Sequence, residues 1–319
     1  MCTALAKIGE RKLFGRTLDV PASYGEGIVI TPRFLPLSFS DGSEAAEHLA
    51  LIGMGILKDG KALYFDAMNE AGLCAAALNF PRLSKYFPPR KREKEIASYE
   101  FILKILSRCK SVFEAKLELC GAAINDLPFS KDTPTTPLHW IVADGNEAIT
   151  VESTENGLSV YPNKCGVLTN SPDFPCQEKR AAEFSAMSTK NPAPSSESPY
   201  FSEGYGAFGL PGDFTSPSRF IRADFLGKSV LTEGDEVSSF FHIMDNLQLP
   251  SGAVTDKNGA PSKTLYTSCM DREQLVYYFH TYQNRRICAV RLETHAACLS
   301  SHTFININKP QDVDLITIK

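Results

Sequence analysis

From Gly72 to Phe80 the chain reads Gly-Leu-Cys-Ala-Ala-Ala-Leu-Asn-Phe, a run of small apolar residues with almost no polar face. A strand of this kind has no side to turn to water, so it predicts a sheet covered on both faces. Its neighbours agree. Lys12 to Asp19, Gly27 to Pro32, Leu49 to Leu57 and Ala62 to Met68 all read as strands rich in buried-type residues.

Two helices are predicted next. In Glu93 to Cys109 the residues Ile96, Tyr99, Leu103 and Leu106 recur at three- and four-residue steps, marking one buried face. Ser111-Val-Phe-Glu114 has the capping-box spacing and opens a second helix running to about Ala123. Strands return at Leu138 to Ala143, Ala148 to Glu152, Leu158 to Tyr161 and Gly166 to Thr169. From Ser171 to about Gly206 the composition turns to Pro, Ser and Glu, which predicts a surface excursion with a helix near Gln177 to Met187. Ser216 as N-cap with Pro217 at the first helical position starts another helix. One more spans about Asp235 to Asn246, and strands at Leu265 to Met270, Leu275 to Tyr282, Arg286 to Leu292 and Thr303 to Ile307 finish the chain. Alternating blocks of strands and helices predict an α+β fold of two stacked sheets with helices outside, a four-layer αββα sandwich in a single domain over residues 1–319.

Composition narrows the function. With 43% hydrophobic and 22% charged residues the chain is ordinary globular material, and a net charge of −4 gives no electrostatic reason for a nucleic-acid or anionic-membrane partner. The basic cluster Arg90-Lys91-Arg92 with Lys94 lacks interleaved aromatics and reads as a solvated helix entrance. Gly204 to Gly212 has the wrong spacing for a phosphate loop. The start, MCTALAKIGERK, has no export-signal pattern, and no stretch approaches the ~20 apolar residues of a membrane span, so a cytoplasmic protein is expected. Nine cysteines, an odd number without CxxC spacing, argue against a disulfide framework or zinc site, and no cofactor is expected.

Cys2 stands apart, because position 2 is where a core residue is not normally needed. A small second residue favours removal of Met1, which would leave a free α-amine beside the thiol. Their unperturbed pKa values, about 7.7–8.0 and about 8.5, are matched for proton exchange near neutral pH. One residue then supplies nucleophile and base, with no histidine required. His139, in an apolar strand beside the only Trp, reads accordingly as a satisfied core histidine.

Position alone is weak evidence, and the motifs add to it. Met-Cys-Thr is followed by Phe14-Gly-Arg-Thr-Leu-Asp19, Met68-Asn-Glu-Ala-Gly-Leu73 and Ala77-Leu-Asn-Phe-Pro81. Leu138-His-Trp140, Val167-Leu-Thr-Asn-Ser-Pro172, Gly209-Leu-Pro-Gly-Asp-Phe214 and Ser218-Arg-Phe-Ile-Arg222 come after. Taken singly, Arg16 and Asp19 read as a surface ion pair, Asn79 and Asn170 as turn residues, and Arg219 as a surface charge. As an ordered set from residue 2 to about 292 they resemble the choloylglycine hydrolase family, which contains conjugated bile acid hydrolases and penicillin V acylases.

The resemblance implies an Ntn-hydrolase fold with Cys2 as nucleophile and Arg16 and Asp19 beside it. It implies Asn79 and Asn170 around the scissile carbonyl, Arg219 completing the cluster, and no metal. Thr17 and Ala77 stand where the family often has Asn and Gly, which bears on pocket shape rather than competence. An apolar trough lined by Leu18, Leu57, Phe65, Leu127 and Phe129 would take the acyl part of a small-molecule conjugated bile salt. Members that prefer penicillin V often carry Tyr at the position of Asn79, which favours bile salts here and leaves the acylase as the alternative. An acyl-binding protein without catalysis is the reading from another class. The family also implies a homotetramer, with the excursion after Ser171 at its assembly loop.

Overall fold

The computed structural model describes residues 1–7, 12–90, 94–191, 203–231, 234–294 and 298–317. The run that reads as doubly buried is the strand Cys74–Asn79, and its side chains divide between two cores. Cys74, Ala76 and Leu78 pack into one cluster, while Ala75 and Ala77 pack into a second. This is the period-two alternation of a strand with a layer on each side.

The strand lies inside an eight-stranded antiparallel sheet. Its order is Gly157–Pro162, Ala148–Thr154, Leu138–Ala143, Cys74–Asn79, Lys61–Asn69, Leu51–Lys58, Gly27–Thr31 and Thr303–Asn306. A seven-stranded sheet stacks on it in the order Val167–Leu168, Cys2–Ala6, Leu13–Val20, Pro261–Asp271, Val276–Thr281 and Cys288–Arg291, with Val254–Thr255 beside Pro261–Asp271. The helices Phe101–Arg108 and Val112–Leu119 cover the outer face of the first sheet. Ser216–Ser229 and Glu236–Asp245 cover the outer face of the second, with Phe174–Ala182 packed on Ser216–Ser229. The predicted αββα layering is therefore the observed one.

Several local expectations give way to tertiary pairing. The stretch expected to be one helix to Cys109 is helical only over Phe101–Arg108, and Glu93 lies outside the described residues. Glu95–Ala97 is a strand paired in parallel with Ala123–Asn125. Tyr99 sits in the 3₁₀ turn Ser98–Glu100 rather than on a buried helical face. The second helix stops at Leu119, before Gly121 turns left-handed at φ +76°, so the chain can enter Ala123–Asn125. Its cap is as predicted, Ser111 Oγ accepting from the Glu114 N–H at 3.2 Å. Of the basic cluster, residues 91 and 92 lie outside the described residues.

The segment after Ser171 is only partly an excursion. Its helix runs over Phe174–Ala182, N-capped by Asp173, and buries Phe174 and Gln177; residues 192–202 lie outside the described residues. The helix at Ser216–Ser229 is capped by Thr215, not Ser216. The Ser216 hydroxyl is already engaged, accepting from the Asn170 N–H at 2.9 Å. The reading that position 2 escapes the core is also overturned, because all five residues of Cys2–Ala6 are buried in the middle of a sheet.

Candidate active site

Strand register brings the first residues together. Cys2–Ala6 pairs with Leu13–Val20 so that Cys2 faces Leu18, Thr3 faces Thr17 and Ala4 faces Arg16. On its other side Ala4 faces Leu168, and continuing that register sets Asn170 across from Cys2. The Cys2 N–H donates to Asn170 Oδ1 at 2.9 Å. Arg219, in the first turn of Ser216–Ser229, donates through Nη2 to the same oxygen at 2.7 Å. Its Nη1 donates to Cys2 O and to Thr3 Oγ1, both at 2.6 Å. The Asn170 amide donates in turn to Asn79 O at 2.7 Å. Residues read from five separate motifs thus meet within one chain of contacts.

Met1 precedes Cys2 here, so the Cys2 nitrogen is an amide. The Met1 ammonium donates to Asp19 O, and the Asp19 N–H donates to Met1 O at 2.9 Å. Removal of Met1 would free both groups of Asp19 beside the new α-amine. The Asp19 carboxylate is fully buried, accepting from Thr264 Oγ1 at 2.6 Å and from Thr17 Oγ1 at 3.1 Å.

Arg16 is fully buried and held by three carbonyls. Nε donates to Thr17 O at 3.1 Å, and Nη1 to Phe65 O at 3.1 Å and Ala77 O at 2.7 Å, while Nη2 has no hydrogen-bond partner. Burial is the largest single influence on its pKa and lowers it. Cys2, Tyr266, Asp66 and Asp19 together outweigh burial, so the net direction is upward and Arg16 stays charged. Asp66 lies 4.0 Å from Arg16 Nε, and accepts from the hydroxyls of Tyr266 and Tyr277, each at 2.5 Å. Gly15 makes this possible, since a Cβ there would lie 2.0 Å from Ser268 O in the adjacent strand. Arg219 is lowered, by burial above all, although Asp19 and Cys2 pull upward. The Arg16 and Arg219 guanidiniums thus both stand within electrostatic reach of the Cys2 side chain.

A cavity of about 280 Å³ opens over Cys2, near the low end of ordinary small-molecule sites at about 300 Å³. Cys2, Arg16, Asn79, Leu18, Phe65 and Phe129 line it, together with Met1. Asp19, Asn170 and Arg219 stand behind it as supports of Cys2 and its neighbours. Leu57 and Leu127 do not line it. Ile56 does, and alternation turns the next residue, Leu57, outward to 39% exposure. Leu127 instead closes a turn, its N–H donating to Asn125 Oδ1 at 3.2 Å. Sequence reasoning missed Val20, Tyr24, Leu63, Tyr99 and the run Thr133 to Thr136. Val20 follows the Asp19 motif directly, which was an available signal; the others reach the cavity only through the fold. Among the described residues no group of three His, Cys, Asp or Glu side chains is set to hold a metal ion.

Comparison with known proteins matches this arrangement to a family. The pattern described as linear amide C–N hydrolases, choloylglycine hydrolase family, covers residues 2–305. The chain is 38% identical over 299 residues to a bile salt hydrolase/transferase of Lactiplantibacillus plantarum, covering 92% of each chain. It is 36% identical over 304 residues to a bile salt hydrolase/transferase of Clostridium perfringens, covering 91% of this chain and 92% of that protein. A crystal structure of the C2A mutant of the conjugated bile acid hydrolase from Clostridium perfringens superposes with a TM-score of 0.92 at 32% identity, over 99% of this chain and 100% of that one. The penicillin V acylase of Agrobacterium tumefaciens shares the fold, with a TM-score of 0.77 at 20% identity over 96% of this chain and 91% of that one. The chain belongs to the choloylglycine hydrolase family of linear amide C–N hydrolases and has the Ntn-hydrolase fold.

Proposed function

We propose that the chain, once Met1 is removed, hydrolyses the amide bond of glycine- or taurine-conjugated bile salts with Cys2 as nucleophile. The observation that carries this reading is the junction at Asn170 Oδ1, where the Cys2 nitrogen and the Arg219 guanidinium meet directly behind the apolar cavity that Cys2 lines. The Cys2 thiolate attacks the carbonyl carbon, forming a C–S bond, and Asn79 and Asn170 supply donors to the developing oxyanion. One such donor is typically worth about 10²–10³ in rate. The thiol proton passes through the Cys2 α-amine to the leaving nitrogen, and the C–N bond breaks to release glycine or taurine. Water then attacks the thioester, giving its proton to the same amine, and frees the acid and the thiol.

Arg16 and Arg219 hold the thiolate, and Asp19 holds the amine. Leu18, Phe65 and Phe129, with Tyr24 and Leu63, form the apolar wall that a steroid acyl group needs. Asn79, at the family position where penicillin V acylases often carry Tyr, and relatives named as bile salt hydrolases both favour the bile-salt substrate. The reading extends, by family resemblance, to a cytoplasmic homotetramer.

Side-by-side hydrolysis of glycocholate, taurocholate and penicillin V by the wild-type chain and Cys2→Ser tests it. Bile salts should be cleaved faster than penicillin V, and Cys2→Ser should be silent while folded. Faster cleavage of penicillin V would overturn the substrate, and an active Cys2→Ser the mechanism.

A further inference from the structure

The histidine set apart in the sequence as a core residue bridges the two sheets at the candidate site. His139 and Glu152 lie in adjacent strands of the eight-stranded sheet, both fully buried on the face turned to the other sheet. Nδ1 of His139 lies 3.0 Å from Glu152 Oε1, and Nε2 lies 3.0 Å from Thr169 O, across the layer. The residue after Thr169 is Asn170. The ring also stacks on Phe80, with centroids 4.3 Å apart and planes at 7°, and the residue before Phe80 is Asn79. One imidazole is therefore fastened to the immediate neighbours of both asparagines.

Each ring nitrogen has an oxygen partner, the Glu152 carboxyl on one side and Thr169 O on the other. Glu152 Oε1 also accepts from the Phe174 N–H at 3.0 Å, which ties the helix following Asn170 to the same pair. Held at both nitrogens and stacked on Phe80, the ring is kept in one orientation. An ordinary core histidine needs none of this.

We propose that His139, oriented by Glu152, is a positioning residue that fixes where Asn170 and Asn79 stand relative to Cys2. The proposal rests on the reading of these three residues as nucleophile and oxyanion donors. His139 touches no substrate, and its effect is on the donors and not on the thiol. Losing the bond to Thr169 O lets the Asn170 segment drift, and a misplaced donor weakens the transition state more than substrate binding.

The test compares His139→Leu and His139→Gln with the wild-type chain, each freed of Met1. Glycocholate kinetics, thermal unfolding and the alkylation rate of the N-terminal peptide by iodoacetamide would be measured. His139→Leu removes both polar contacts, and kcat should fall on the order of 10²-fold with KM moved by less than about threefold. Alkylation of Cys2 should stay near the wild-type rate, because the thiol and its arginines are untouched. His139→Gln keeps one donor for Thr169 O and should recover kcat to within about tenfold of wild type. A folded His139→Leu with wild-type kcat would overturn the proposal, as would a His139→Gln no better than His139→Leu. If His139→Leu does not fold, His139→Gln decides: a kcat near wild type supports the proposal, and a loss as deep as 10²-fold with the donor retained overturns it. A wild-type chain that hydrolyses no conjugated bile salt would instead fault the function on which the proposal rests.

Discussion

Arg219 donates through Nη2 to Asn170 Oδ1 at 2.7 Å, and that oxygen also accepts the Cys2 N–H at 2.9 Å. A buried guanidinium thus reaches the candidate nucleophile both through a shared acceptor and directly, through Cys2 O. The planar fork is what spans these groups, and a lysine ammonium cannot reach them together. Arg219→Lys should lower kcat/KM for glycocholate by about 10²-fold while leaving the chain folded, as steady-state kinetics alongside circular dichroism would show.

Asn79 lines the cavity and Asn170 stands behind Cys2, so their removal should differ. Asn79→Ala should lower kcat by about 10²–10³ with little change in stability. Asn170→Ala should lose comparable rate and also stability, because it strips acceptors from Cys2 and Arg219 at once. Kinetics with urea unfolding of both variants separates these outcomes.

Asp66 is the nearest carboxylate to the buried Arg16, and removing one member of a buried charge pair typically costs about 3–5 kcal/mol. Asp66→Asn should show a loss of that order in urea unfolding. Tyr277→Phe, which deletes one of the hydroxyls donating to Asp66, should cost about 1–3 kcal/mol. Equal stability of Asp66→Asn and wild type would remove Asp66 from the support of Arg16.

The acid limb of stability should depend on the pair of Asp41 and Lys104. Burial pushes the Asp41 carboxyl up, the largest single influence, but hydrogen bonds from Lys104 and Ser43 and the Lys104 charge together bring it down to about 2. A depressed carboxyl contributes stability that is present above its unfolded value, near 3.8, and lost as pH falls toward about 2. Asp41→Asn should therefore be less stable than wild type at pH 6, with the difference shrinking between about pH 4 and pH 2. Urea midpoints measured across that range check the sign.

The layers were legible because Cys74–Asn79 leaves no side for water, and the ordered motifs contain Cys2, Asn79, Asn170 and Arg219, which meet in one chain of hydrogen bonds. What the sequence hid depends on pairing between distant segments. Glu95–Ala97 has a helical period yet becomes a strand because Ala123–Asn125 is there to pair with it. Ser216 has the form of an N-cap, but its hydroxyl is claimed by Asn170, 46 positions earlier. Cys2 reads as free of the core because nothing local announces a central strand at the start of the chain. Leu57 and Ile56 are equally apolar, and only the pleat decides which one meets the cavity.

The central claim is that Cys2 acts as an N-terminal nucleophile, which exists only after Met1 has gone. Intact-mass analysis of the active enzyme, acid-quenched during glycocholate turnover, tests it most directly. The expected result is a chain lacking Met1, a fraction of it carrying one cholyl group on the N-terminal peptide, and no such adduct on Cys2→Ala. Full activity in a chain that retains Met1, or an adduct on any other residue, would contradict it.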